Sequence, residues 1–211
     1  MLGLILKDFI ILKRYIMLSF FFGVWMLAAG RPNNLPLLYF CSGWMMVWFI
    51  LARGVFAMDE HIRSEALINS LPLSRREIVF GRHITSMVFA VYGFLVMAAW
   101  HLILKLAGSN GRAFPWMAAV TVGLGLVALL TLVYFPILFK FGYMKTRWFS
   151  LFLIVAVVSL GSGAYRQRPD WMGDLLGLSG PWIPGIVLAA FAALMLLSIL
   201  ICTALYRTRE F

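Results

Sequence analysis

Acidic residues are scarce in this chain. Its 211 residues include 8 Asp and Glu against 18 Lys and Arg, and charged residues make up only 12% of the total. A soluble domain carries about 25% charge, so an ordinary soluble enzyme is excluded. Disorder needs few apolar residues and many charges, and it is excluded because 63% of the chain is hydrophobic and 16% aromatic. The two cysteines, Cys41 and Cys202, both lie inside apolar runs. They form no disulfide framework and read as buried free thiols acting as small apolar residues. No Gly-x-x-x-x-Gly-Lys-Ser/Thr stretch occurs, so no P-loop cradles phosphates. No His, Cys, Asp or Glu cluster has metal-ligand spacing.

What is present is a series of long apolar runs, the mark of an all-α polytopic membrane protein. A helix crossing a hydrocarbon core of about 30 Å needs about 20 such residues. Six runs qualify or nearly do: 15–29, 35–58, 84–107, 116–139, 148–165 and 183–206. The first is short, so its helix is expected to start near Phe9, with Lys13 and Arg14 reaching out to the interface. Residues 1–12 read as an interfacial helix feeding it. Five of the basic residues, Arg31, Lys105, Arg112, Arg166 and Arg168, fall on one side of this six-span arrangement and the other 13 of the 18 on the side of the N-terminus. That bias places both termini in the cytoplasm. It also makes membrane topology, not nucleic acid binding, the reading of the +10 net charge.

The connections are short except for a 25-residue cytoplasmic one, 59–83. Asp59 and Glu60 stand where a helix would start, since acids favour that end of the helix dipole. Leu71-Pro72-Leu73 breaks the helix. Ser74-Arg75-Arg76-Glu77 is a capping box, with Leu73 and Ile78 as its hydrophobic staple. A second helix should therefore begin at Arg75 and run unbroken into the third span. Apolar residues rimmed by charge mark a partner site, which makes 59–77 a docking candidate. Residues 166–182 form an outer loop whose Trp171 and Trp182 suit the headgroup belt.

Within the spans no acid is expected, which argues against ion-coupled transport. Small residues recur every four positions: Gly185, Ala189 and Ala193 in the sixth span, Ala119 and Gly123 in the fourth. Such stripes let helices approach closely, and packing within one chain is the favoured reading. Gly177-Leu178-Ser179-Gly180 has the form of an intramembrane serine protease motif, but all three histidines precede it and Pro181 follows, so it reads as a turn. Aromatic and Met residues crowd the first two spans. They read first as lipid-facing and packing bulk; the functional alternative is an adaptable apolar wall for an amphipathic or lipid-like substrate, with Trp25, Tyr39, Trp44, Met45 and Trp48 as its candidates.

The opening Leu2-Gly3-Leu4-Ile5-Leu6-Lys7-Asp8-Phe9, the Asp59-Glu60 pair and the stretch Asn69 to Val79, with its Ser70-Leu71-Pro72-Leu73-Ser74-Arg75-Arg76-Glu77-Ile78-Val79, resemble the small ABC-2 type permeases, the membrane subunits of bacterial ABC exporters. Within them the chain is most similar to the subgroup of phenol-soluble modulin exporter permeases. The resemblance implies a permease dimer, of two copies or of paralogues, in the bacterial cytoplasmic membrane. It would dock on two ABC ATPase subunits that carry ATP and Mg, with no cofactor on this chain. It implies a coupling helix between spans two and three, whose ATPase-docking candidates are Glu60, Arg63, Glu65, Leu67, Leu71, Pro72, Ser74, Arg75, Arg76 and Glu77. The expected cargo is an amphipathic or hydrophobic substrate, a peptide by this resemblance. An immunity or sensor permease of the same architecture and a non-transporting scaffold are the alternatives.

Overall fold

The structure, a computed structural model, describes residues 7–8, 10–30, 36–61, 74–106, 114–167 and 182–207. Among them are six α-helices: α1 (Lys13–Gly30), α2 (Pro36–His61), α3 (Arg75–Leu106), α4 (Trp116–Phe141), α5 (Tyr143–Gln167) and α6 (Ile183–Arg207). Four of these, α2, α3, α4 and α6, are long and apolar enough to cross a membrane within the described residues. Of the segments expected from the sequence, 1–6, 62–73 and 168–181 lie outside the described residues. They take with them the start of the interfacial helix, the Leu71-Pro72-Leu73 corner and most of the outer loop.

Local chemistry sets the helix limits. Pro36 stands at the first position of α2, where its missing N–H would have had no partner anyway. The first helix does reach back beyond Lys13, as its short apolar run required: the Leu12 amide bonds the Asp8 carbonyl at 3.1 Å and the Ile16 amide bonds the Leu12 carbonyl at 2.9 Å. Lys13 and Arg14 are exposed. α4 and α5 are separated by Gly142 alone, which adopts φ 77°, a left-handed conformation that favours glycine. Its amide closes on the Leu138 carbonyl at 2.9 Å.

α3 contains 32 residues, a length of about 48 Å at 1.5 Å per residue. That exceeds a hydrocarbon core of about 30 Å, which leaves its charged first turns free to stand outside the apolar layer. The helix begins at Arg75 and runs unbroken, as its capping box led one to expect. Two helices also take up the two ends of the 25-residue connection: α2 extends to His61 and α3 begins at Arg75.

α2 is the central helix. It lies against α1, α3, α4 and α5, and 67% of its apolar window is buried, against 17% for α6. The contacts are tightest where aromatic rings meet glycine. A Cβ on Gly123 of α4 would fall 2.1 Å from the Trp44 ring. Trp44 donates its indole N–H to the Ala90 carbonyl of α3 at 2.7 Å. One helical turn on, Trp48 donates to both the carbonyl and the hydroxyl of Ser86, at 3.2 and 2.9 Å. α6 closes on α4 and α3 through Ser198, which donates to the Thr131 carbonyl at 3.2 Å and lies 3.1 Å from Nε2 of the buried His83.

The two small-residue stripes differ. Ala119 and Gly123 are buried within the chain, as expected. Gly185, Ala189 and Ala193 of α6 are exposed, and a Cβ on Gly185 would meet nothing within 4 Å. The expectation of packing within one chain is therefore corrected for α6, because its contact with α4 and α3 uses the opposite face, with Met195, Ser198 and Cys202 buried. Both cysteines are buried and free.

Candidate coupling site

The segment 62–73 leaves α2 at His61 and returns to α3 beside Ser74. Its base is built from charge. Asp8, just ahead of α1, is 2% exposed; Asp59 in the last turn of α2 and Arg82 of α3 are each 5% exposed. Arg82 Nη1 donates to both carboxylate oxygens of Asp8 at 2.8 Å. Its Nη2 donates to Oδ2 of Asp59. Lys7 completes the group by donating to Oδ1 of Asp59 at 2.6 Å. Two acids and two bases thus neutralise one another among three segments. The Arg82 guanidinium also lies 5.6 Å from the centre of the Phe56 ring, in cation–π range. Partial burial holds the Lys7 ammonium below its usual pKa, the positive Arg82 lowers it further, and the Asp8 carboxylate raises it.

A buried ion pair contributes little net stability when complete, yet removing one partner costs about 3–5 kcal/mol, because an uncompensated charge is left behind. The cluster is therefore a positional lock. It fixes the N-terminal segment, the end of α2 and the start of α3 in one register.

Glu60 extends the lock to a fourth element. Its Oε2 accepts the backbone N–H groups of Tyr143 and Met144 at 2.6 and 3.0 Å. These are the first amides of α5, which have no partner within their own helix. Arg53, one to two turns earlier on α2, donates to the Tyr143 hydroxyl at 3.1 and 2.8 Å. The expectation that Asp59 and Glu60 begin a helix is thus corrected: they end one. The dipole of α2 disfavours acids there, but Asp59 is met by Lys7 and Arg82, and Glu60 by the positive end of α5.

The far end of the segment is capped as the sequence indicated. The Ser74 amide and hydroxyl donate to Oε2 of Glu77 at 2.7 and 2.8 Å, and the Glu77 amide donates back to the Ser74 hydroxyl at 3.3 Å. Arg75 turns to α6 and donates to the Tyr206 carbonyl at 3.2 Å, which satisfies a C-terminal acceptor. Arg76 is exposed.

Of the docking candidates, Glu60, Ser74, Arg75, Arg76 and Glu77 therefore flank the segment at its two ends. Arg63, Glu65, Leu67, Leu71 and Pro72 lie outside the described residues. Of the substrate-path candidates, Trp44, Met45 and Trp48 are buried within the chain and Tyr39 is half-buried; the side chain of Trp25 lies outside the described residues. Sequence reasoning passed over Asp8 and Arg82. One signal was available: Ile78, Arg82, Thr85 and Phe89 fall on one helical face, and an arginine on a face otherwise made for the interior demands an acidic partner.

This helical bundle, with a charged joint at the base of one inter-helix segment, belongs to a recognisable class. The chain matches the ABC-2 family transporter protein over residues 3–207 and belongs to that family. It is accordingly a multi-pass membrane protein and a membrane permease of an ABC transporter, in a family that works with an ABC ATPase subunit. No curated protein and no solved structure matches it.

Proposed function

We propose that the chain is the permease half of an ATP-driven exporter, similar to the phenol-soluble modulin subgroup, and that it moves an amphipathic peptide or similarly apolar cargo out of the cell. In this reading all six helices cross the membrane, α1 and α5 included, and both termini are cytoplasmic by the charge bias. Two permeases, copies or paralogues, sit on two ATPase subunits that bind ATP and Mg. The connection 59–77 takes the coupling role, with Glu60, Ser74, Arg75, Arg76 and Glu77 among its docking residues.

The observation that carries the reading is the buried Lys7–Asp8–Asp59–Arg82 group at the base of that segment. A loop serving only as a tether has no need of a charge-locked base. A loop pushed by a partner does, because the push must reach α1, α2, α3 and, through Glu60, α5 together. ATP binding on the partner would then act through its different affinity for two arrangements of these helices.

The substrate path is assigned to the aromatic region of α1 and α2, with Trp25, Tyr39, Trp44, Met45 and Trp48. Trp44, Met45 and Trp48 are enclosed by α3 and α4 in the described arrangement, so they would meet cargo only when α2 parts from those helices.

The test is an Asp59→Asn permease co-expressed with its ATPase and reconstituted in vesicles. Asparagine keeps the shape and loses the charge. The ATPase should still co-purify, while peptide efflux per ATP hydrolysed falls. Unchanged efflux per ATP would count against coupling through this base, and failure of any ATPase to co-purify with the unmodified chain would count against the permease assembly itself.

A further inference from the structure

A trough of about 540 Å³ opens between the first turns of α3 and the last turns of α6, lined by Arg76, Glu77, Phe80, Leu200, Thr203 and Ala204, with Ile199 behind them. Its chemistry is graded. At the mouth stand two exposed side chains of opposite charge, Arg76 and Glu77. Below them the walls are apolar and open, with Phe80 45% and Leu200 68% exposed. The Thr203 hydroxyl is spent on the Ile199 carbonyl at 2.7 Å, so the lower part offers no polar group from that residue.

Among the described residues, the two charges at the mouth are available. Arg76 has no ion pair among the described residues, unlike its neighbour Arg75, which is committed to the Tyr206 carbonyl. Glu77 uses Oε2 for the Ser74 cap, which leaves Oε1 open among the described residues. An anionic headgroup would be drawn to Arg76 and repelled by Glu77, and a cationic amphiphile would meet the reverse. A headgroup bearing a phosphate and a primary ammonium side by side satisfies both, since the phosphate suits the guanidinium fork and the ammonium can donate to a carboxylate. The apolar walls below suit an acyl chain.

We infer that this trough binds a phosphoethanolamine lipid, with its phosphate on Arg76, its ammonium on Glu77 and one acyl chain along Phe80, Leu200 and Ala204. The occupant comes from the leaflet on the side where α3 begins and α6 ends. Only the naming of that leaflet as the inner one rests on the proposed orientation. The charge pairing is what separates this site from general lipid contact along the exposed helix faces.

The experiment uses the full chain alone, purified in detergent and incubated with phosphatidylethanolamine, phosphatidylcholine or phosphatidylglycerol of identical acyl chains, with bound lipid counted by native mass spectrometry. Phosphatidylethanolamine should be retained several-fold over the other two. Arg76→Gln should reduce its retention to the phosphatidylcholine level. Glu77→Gln keeps the capping box, where glutamine serves as well as glutamate, and should move the preference toward phosphatidylglycerol. Leu200→Trp should fill the trough and abolish the preference. Equal retention of the three lipids, a preference for phosphatidylglycerol in the unmodified chain, or a preference unchanged by Glu77→Gln or Leu200→Trp would each overturn the site. No ATPase and no transport enter the measurement, so its failure is separate from failure of the exporter reading.

Discussion

The molecule holds α2 to its neighbours in two different ways. Toward its C-terminal end, Asp59 and Glu60 are joined by charge to Lys7, Arg82 and the start of α5. Toward its N-terminal half, Phe40, Cys41 and Trp44 are joined mainly by packing, alongside the Trp44 indole hydrogen bond to Ala90, with Phe40 within 5.1 to 6.5 Å of the Phe94, His101, Phe114 and Trp116 rings. Packing is tolerant: rings slide and repack at modest cost when volume is kept. A buried charge group is close to all-or-none, because each member left alone pulls against the low dielectric around it. On the proposed function, the region that would transmit a push is the one built to hold a single geometry, and the region that would adapt is built from surfaces that re-pack.

The sharpest way to break the contrast is Arg82→Ala. It leaves Lys7 alone to balance both Asp8 and Asp59 and should destabilise the fold by about 3–5 kcal/mol, seen as loss of monodisperse protein in detergent. The triple variant Asp8→Asn, Asp59→Asn and Arg82→Gln removes the three buried charges together, leaving only the partly exposed Lys7, and should recover most of that yield. If the triple variant is no better than the single, the group is not a mutual neutralisation. Next comes Glu60→Ala, which frees two amides of α5 from a charged acceptor and should cost about 1.5–3 kcal/mol, read as a lowered melting temperature and faster amide exchange at 143–144. At the aromatic end, Gly123→Ala drives a methyl group into the Trp44 ring, a misfit of about 1–3 kcal/mol. Pairing it with Trp44→Phe should relieve that cost, and a failure to do so would show that this end is as rigid as the other. The smallest effect is expected from Ser74→Ala, about 1 kcal/mol by loss of a helix cap. It should leave insertion intact and lower only efflux per ATP.

These two kinds of joint were unequally legible in the sequence. The helix from Arg75 could be read because its signal is local: serine, glutamate three residues on, and an apolar run behind them. The spacing of Ala119 and Gly123 was local as well. Asp59 and Glu60 were misread because local rules place acids at helix starts, whereas their partners lie 23 to 84 positions away along the chain. The outward face of Gly185, Ala189 and Ala193 was misread for a related reason. A small-residue stripe says that a close approach is possible, but not from which side a neighbour comes. Trp44 and Trp48 could be found as bulky residues. Their hydrogen bonds to α3 could not, since a strand of sequence carries no record of which carbonyl a distant indole will meet.

The charge group has a consequence for how the protein is made. Lys7, Asp8, Asp59 and Arg82 all belong to the first 82 residues, so the growing chain can complete their neutralisation before α4 leaves the ribosome. Two acids and two bases that would each be costly to bury unpaired can thereby cancel one another before the later helices are made. Glu60 stands apart. Its acceptor is in place from the same early moment but stays vacant until Tyr143 and Met144 arrive, so it serves as the receiving point that tells the later half of the chain where to settle.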